Sequence, residues 1–139
     1  SELLRQGREQ LEAQLAKSQV NELVNNTVQV KGVPVLVSRV QANDMDVLRN
    51  MADMFREKIK SGIVVLGSAA DNKVNFVVAV TKDLVGKTVH AGNIIREIAK
   101  VAGGGGGGRP DLAQAGGKDV DKLDEALAQA LAIIENQLK

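Results

Sequence analysis

The chain has 139 residues, 44% of them hydrophobic, with 18 basic and 17 acidic side chains and a formal net charge of +1; that composition describes one modest globular domain plus an extension. The absence of Cys excludes a disulfide framework, a thiolate metal ligand and a thiol nucleophile, and the cytoplasm is the expected compartment. No apolar stretch has the length a bilayer crossing needs, and the first residues form a charged amphipathic pattern unlike a secretion signal, so no membrane partner is expected.

The predicted elements begin with a helix over residues 1–24, SELLRQGREQLEAQLAKSQVNELV, which lacks proline and carries an apolar stripe through Leu4, Leu11, Leu15 and Leu23. At about 1.5 Å per residue it outruns what so small a domain can cover. Leu4, Leu11 and Leu15 are therefore the expected contacts of a coiled-coil-like homodimer, weighed against packing back onto the same chain. A β-hairpin follows in the β-branched runs 27–30 and 33–40, separated by Lys31 and Gly32. Pro34 cannot donate to a ladder and marks an edge or strand-entry position.

Val47, Leu48, Met51, Met54, Phe55 and Ile59 then repeat at helical spacing behind Asn43 or Asp44 as cap, with Ser61 and Gly62 as the stop. This periodicity assigns the methionines to a core, not to an adaptable binding face. Runs 63–67 and 74–80 read as a second strand pair across Asp71, Asn72 and Lys73, apolar enough to be covered on both faces. A third helix over residues 90–102 turns Ile94, Ile95, Ile98 and Val101 inward and Arg96 and Lys100 outward. The last, from Asp119, aligns Val120, Leu123, Leu127, Leu131 and Ile134, with Asp119, Asp121 and Asp124 read as caps in preference to a magnesium site. The expected fold is α/β (α+β), a small mixed sheet of about four to five strands flanked by helices. The domains are a helical dimerisation extension (1–24) and a globular part (25–139).

Between the last two helices lie six consecutive glycines, Gly103, Gly104, Gly105, Gly106, Gly107 and Gly108, which run into Arg109, Pro110 and Asp111 and close with Gly116, Gly117 and Lys118. A flexible linker is the ordinary reading of such a run. The absence of serine, the stiff step at residues 109–111 and the patterned helices on either side favour an ordered loop over residues 103–118. Such a loop offers backbone N–H groups to a large anionic partner with no side chains in the way, so that a substitution such as Gly106→Val is expected to weaken binding and spare folding. Residues 82–118 also hold six basic and three acidic side chains, the largest positive excess along the chain. Lys100, Arg96, Arg109 and Lys118 are accordingly the candidate anion contacts, with His90 structural or RNA-facing beside Asn93.

Other chemistries fit poorly. Residues 86–88, Gly-Lys-Thr, resemble the end of a phosphate-binding loop, but the required earlier glycine falls on Thr81. The glycine run follows a helix where a dinucleotide fold needs a strand. One histidine and no cysteine remove the common zinc sites, and no catalytic residue is assigned. With no Trp or Tyr, and Phe55 and Phe76 both placed in the core, stacking of single-stranded bases is largely unavailable. What remains is recognition of a folded RNA by shape, phosphates and 2′-hydroxyls.

The stretch HAGNIIREIAKVAGGGGGGRPDLAQAGGKD, residues 90–119, closely resembles the C-terminal domain of alanyl-tRNA synthetases, a relative of the glycine-rich substrate-binding domain of DHH-type phosphodiesterases and single-strand exonucleases. The resemblance implies a non-catalytic module that docks on the outer corner of tRNA and helps the synthetase dimerise; whether DNA can take the place of tRNA is left open by the sequence. It implies that ATP, magnesium and zinc belong to the rest of the parent enzyme and no cofactor to this segment. The phosphodiesterases usually carry a histidine where Arg109 stands, so the substrate-binding half of such an enzyme is the alternative.

Overall fold

A computed structural model describes Ser18 and residues 27–40, 45–59, 61–70, 72–85 and 89–138. The predicted N-terminal helix with Leu4, Leu11, Leu15 and Leu23, the candidate caps Asn43 and Asp44, and the Gly-Lys-Thr triplet lie outside the described residues. The first hairpin joins β1 (Val28–Val30) to β2 (Val33–Arg39). Lys31 at φ 51° and Gly32 at φ 83° supply the two positive angles that a two-residue turn matching strand twist requires. Pro34 pairs only with Gln29 of β1, because the ladder to the next strand starts at Val35, so its missing N–H is not needed.

Helix α1 (Met45–Ile59) connects β2 to β3 (Ile63–Ala70), and these two strands are parallel. Strand β3 then turns through Asn72, at φ 62°, into antiparallel β4 (Lys73–Val80). Lys73 opens the strand instead of closing the turn. Ser61, Thr81 and Asp83 tie the sheet at this level: the Thr81 hydroxyl donates to Asp83 at 2.5 Å and accepts from the Gly62 N–H at 3.0 Å, while Ser61 donates to the other Asp83 oxygen. Helix α2 (Ala91–Val101), strands β5 (Gly105–Gly108) and β6 (Leu112–Gly117), and helix α3 (Leu123–Gln137) complete the chain.

The strands form one six-stranded sheet in the order β1-β2-β3-β4-β6-β5, so the expected count of strands was too low. The missing pair is the glycine segment and its return strand, where no β-branched residue announces a strand. Alternation along the strands sends side chains into two cores. On one face Val74, Phe76, Val78, Ala113 and Ala115 pack with Ile94, Ile95 and Ile98 of α2 and with Leu123, Leu127 and Ile134 of α3. On the other, Leu36, Val64, Leu66, Val77 and Ala79 pack beneath Leu48, Met51 and Phe55 of α1. Both phenylalanines are fully buried. Helix α3 begins with a 3-10 turn (Val120–Lys122), and Asp119 makes no side-chain capping hydrogen bond, so the capping role expected of it is not realised. Among the described residues no group of three or more His, Asp or Glu gathers as a metal site. No helix among the described residues is long and apolar enough to cross a membrane.

Candidate nucleic-acid interface

The expected loop over residues 103–118 is a β-hairpin, with β5 on the edge of the sheet and the turn at Pro110 and Asp111. Arg109 N–H donates to the Leu112 carbonyl at 3.0 Å, closing the turn. Three further bonds hold its tip: Val80 N–H to Asp111 O at 2.8 Å, Ala91 N–H to Pro110 O at 2.9 Å, and Arg56 Nη1 to Asp111 O at 3.3 Å. The ends of β4, α2 and α1 therefore all anchor it, which is why a stretch of bare glycine holds a defined shape.

The six glycines divide into three kinds. Gly103, at φ +69°, stops α2: its N–H donates to Lys100 O and that of Gly104 to Ala99 O, the paired bonds of a left-handed helix terminus. A second group presses against the return strand. A Cβ built on Gly104 would stand 1.8 Å from Gly116 O, one on Gly106 2.4 Å from the Ala115 Cβ and from Gln114 O, and one on Gly108 2.8 Å from the Ala113 Cα. These three are glycine because strand β6 leaves no room. The expectation that Gly106→Val would spare folding is therefore overturned by the closeness of β6.

Gly105 and Gly107 form the third kind. Neither has positive φ, and a Cβ on either would meet nothing within 4 Å. Across the ladder, a Cβ on Gly116 would make only an ordinary 3.6 Å contact with Val74 O. Pairing sets Gly105 opposite Gly116 and Gly107 opposite Gln114, so all three glycines belong to one face, the face that α1 covers farther along the sheet over β3 and β4. Here no helix among the described residues covers it. Gly105, Gly116 and Gln114 are exposed.

A hollow flanks this bare panel at each end. One, of about 350 Å³, is lined by Lys73, Asn75 and Lys118 together with glycine backbone. The other, of about 330 Å³, lies among Arg49, Gln114 and Arg109 beside Gly107 and Gly108. Lys73 and Lys118 have no carboxylate partner among the described residues. Arg109 reaches Asp111 only at 3.7 Å and keeps 73% of its side chain exposed, and Arg49 pairs with Asp46 on its own helix.

The predicted site residues are thus only partly brought together. Gly105, Gly107, Arg109 and Lys118 share the open face. Asn93, Arg96 and Lys100 lie on the solvent side of α2, which packs on the opposite face, and Lys100 is engaged with Glu97 at 3.4 Å. His90 is the N-cap of α2, its Nδ1 accepting from the Gly92 N–H at 3.1 Å. Sequence reasoning missed Arg49, Lys73, Asn75 and Gln114, each distant from the glycine run in sequence or hidden in an unrecognised strand. For Gln114 a signal existed: LAQAGG alternates small apolar residues with polar or glycine positions, the period of a half-covered strand.

The profile of the DHHA1 domain matches residues 32–136. The chain belongs to the DHHA1 domain family. It is 56% identical over 136 residues to the alanine-tRNA ligase of Desulforamulus reducens, a match covering 98% of this chain and 16% of that protein, so this DHHA1 domain spans about one-sixth of such relatives. Among solved structures it is similar to the C-Ala domain of the Aquifex aeolicus alanyl-tRNA synthetase, with a TM-score of 0.71, 39% identity, and 78% of this chain and 97% of that one covered. A pGpG-specific phosphodiesterase of Vibrio cholerae shares the fold at a TM-score of 0.53 and 10% identity, covering 95% of this chain and 43% of that one.

Proposed function

We propose that this DHHA1 domain is a non-catalytic tRNA-binding module of an alanine-tRNA ligase, docking its open glycine face on the outer corner of tRNA. One bound tRNA could then serve both the aminoacylation and editing centres of the parent enzyme. The observation that carries the reading is the set Gly105, Gly107 and Gly116: the fold leaves room for a side chain at each, yet none is present. A partner that must lie flush against the sheet accounts for that, and cations at both ends of the panel suit a polyanion. The similarity to alanine-tRNA ligases and to a C-Ala domain supports the same partner.

With both phenylalanines buried, base stacking is largely unavailable, which favours folded RNA over single strands. In this reading ATP, magnesium and zinc serve other parts of a cytoplasmic parent, DNA is a further ligand, and the segment through Leu4, Leu11 and Leu15 mediates homodimerisation. Competition against labelled tRNA tests the proposal. Intact tRNA should displace the label while an isolated acceptor stem or a single-stranded oligonucleotide should not; equal displacement by the acceptor stem would overturn docking at the corner.

A further inference from the structure

The two hollows at the ends of the glycine panel have the same composition: two cationic side chains and one neutral amide. Arg49 and Arg109 share one with Gln114, and Lys73 and Lys118 share the other with Asn75, the register bringing Lys73 and Lys118 together at one strand end. Gln114 pairs laterally with Gly107 and with Val77, and Asn75 with Gly116, so the two amides occupy diagonal positions on the same sheet face. Diagonal neighbours stand about 7–8 Å apart. Gln114 is exposed and its side chain makes no hydrogen bond among the described residues, so its carboxamide is free to engage a ligand.

In a polynucleotide a sugar separates successive phosphates. A hollow that gathers cations beside an amide can therefore meet phosphates and the ribose next to them. A carboxamide donates and accepts, as does a ribose 2′-hydroxyl, whereas a deoxyribose offers nothing at that position. We infer that Gln114, seconded by Asn75, is the specificity-determining side chain of this surface and reads the 2′-hydroxyl of RNA. The inference rests on the tRNA-binding reading and adds the group that separates RNA from DNA. Cations around the panel attract either polymer; the amides favour one.

The test compares binding of a tRNA transcript and of its all-deoxy counterpart by the 139-residue chain and by Gln114→Ala and Asn75→Ala. Wild type should prefer RNA by up to about tenfold, the net worth of one hydrogen bond. Gln114→Ala should lose most of that preference through weaker RNA binding alone, with DNA affinity and melting temperature unchanged, and Asn75→Ala should lose a smaller share. Equal weakening toward both polymers, or no change toward either, would overturn the inference while leaving tRNA binding in place. A wild type that fails to bind tRNA would overturn both.

Discussion

Substitutions at adjacent glycines, Gly106 and Gly107, should have opposite effects. At Gly107 a Cβ meets nothing within 4 Å and φ is not positive, so Gly107→Ala should fold at least as well as wild type. Removing a glycine from a compatible backbone stabilises by about 0.4–1 kcal/mol through the unfolded chain. For a domain of this size that is a rise in melting temperature of roughly 2–5 °C. At Gly106 the added carbon falls 2.4 Å from the Ala115 Cβ and the Gln114 carbonyl, and because one obstacle is backbone no rotamer can move aside. Gly106→Ala should cost about 1–3 kcal/mol, the usual penalty for overpacking.

Binding should follow a different order from stability. Gly107→Val puts a branched side chain on the open face, and a gap of only about 0.5–1 Å already forfeits a quarter to a half of each dispersion contact. A loss of tenfold or more in tRNA affinity, about 1.4 kcal/mol, is expected alongside an unchanged or raised melting temperature. Calorimetry and a filter-binding titration on the same preparations measure both. If Gly107→Val bound tRNA as wild type does, or if it unfolded as readily as Gly106→Val, the assignment of this face would be refuted.

Thr81 is buried and accepts the Gly62 N–H, so Thr81→Val should destabilise by about 1–3 kcal/mol in a denaturant titration by leaving that donor unsatisfied. Lys73→Gln and Lys118→Gln should each lower the dependence of log affinity on log salt by about 0.7–0.9, the share of one neutralised phosphate, whereas Lys100→Gln on the far side of α2 should leave it unchanged. Leu11→Asp combined with Leu15→Asp should convert a dimer to a monomer in sedimentation if that stripe joins two copies.

The parts of the fold legible in sequence are those where side chains mark the period. Leu48, Met51 and Phe55 identified α1, Ile94, Ile95 and Ile98 identified α2, and the Lys31-Gly32 turn set the first hairpin, because each rests on local burial or a required φ. Strand β5 was illegible for a physical reason: four glycines in succession have neither a β-branched signature nor a hydrophobic alternation, and only their pairing with β6 makes them a strand. The site suffered the same way. Arg109 and Lys118 stood out by adjacency to the run, while Lys73 and Arg49 reach the panel through tertiary packing that no spacing predicts. Arg96 and Lys100 were attributed to it on sequence proximity, but a helix packed on one sheet face turns its polar stripe away from the other.

The topology itself explains why an open face exists. A sheet of six strands about 4.8 Å apart is wider than any single helix of about 10 Å can cover. Helices α2 and α3 share one face, whereas α1, the crossover between parallel β2 and β3, is the one described helix on the other and packs chiefly on β3 and β4. Among the described residues nothing covers the face of β6 and β5 beyond it, and Gly105, Gln114 and Gly116 are exposed there. Valines there, as on β3 and β4, would form an exposed apolar patch and invite aggregation. Charged side chains would keep it soluble but hold a partner at the length of a lysine. Glycine does neither, and with Gln114 as the polar side chain between Gly107 and α1-covered Val77, it leaves a surface that is soluble alone and closely approachable by a polyanion. That combination requires β5 to stay in the sheet without side chains to hold it. The bonds at the Pro110–Asp111 tip and the glycine stop at residue 103 perform that task, so loosening either end should release the whole panel, Gln114 included.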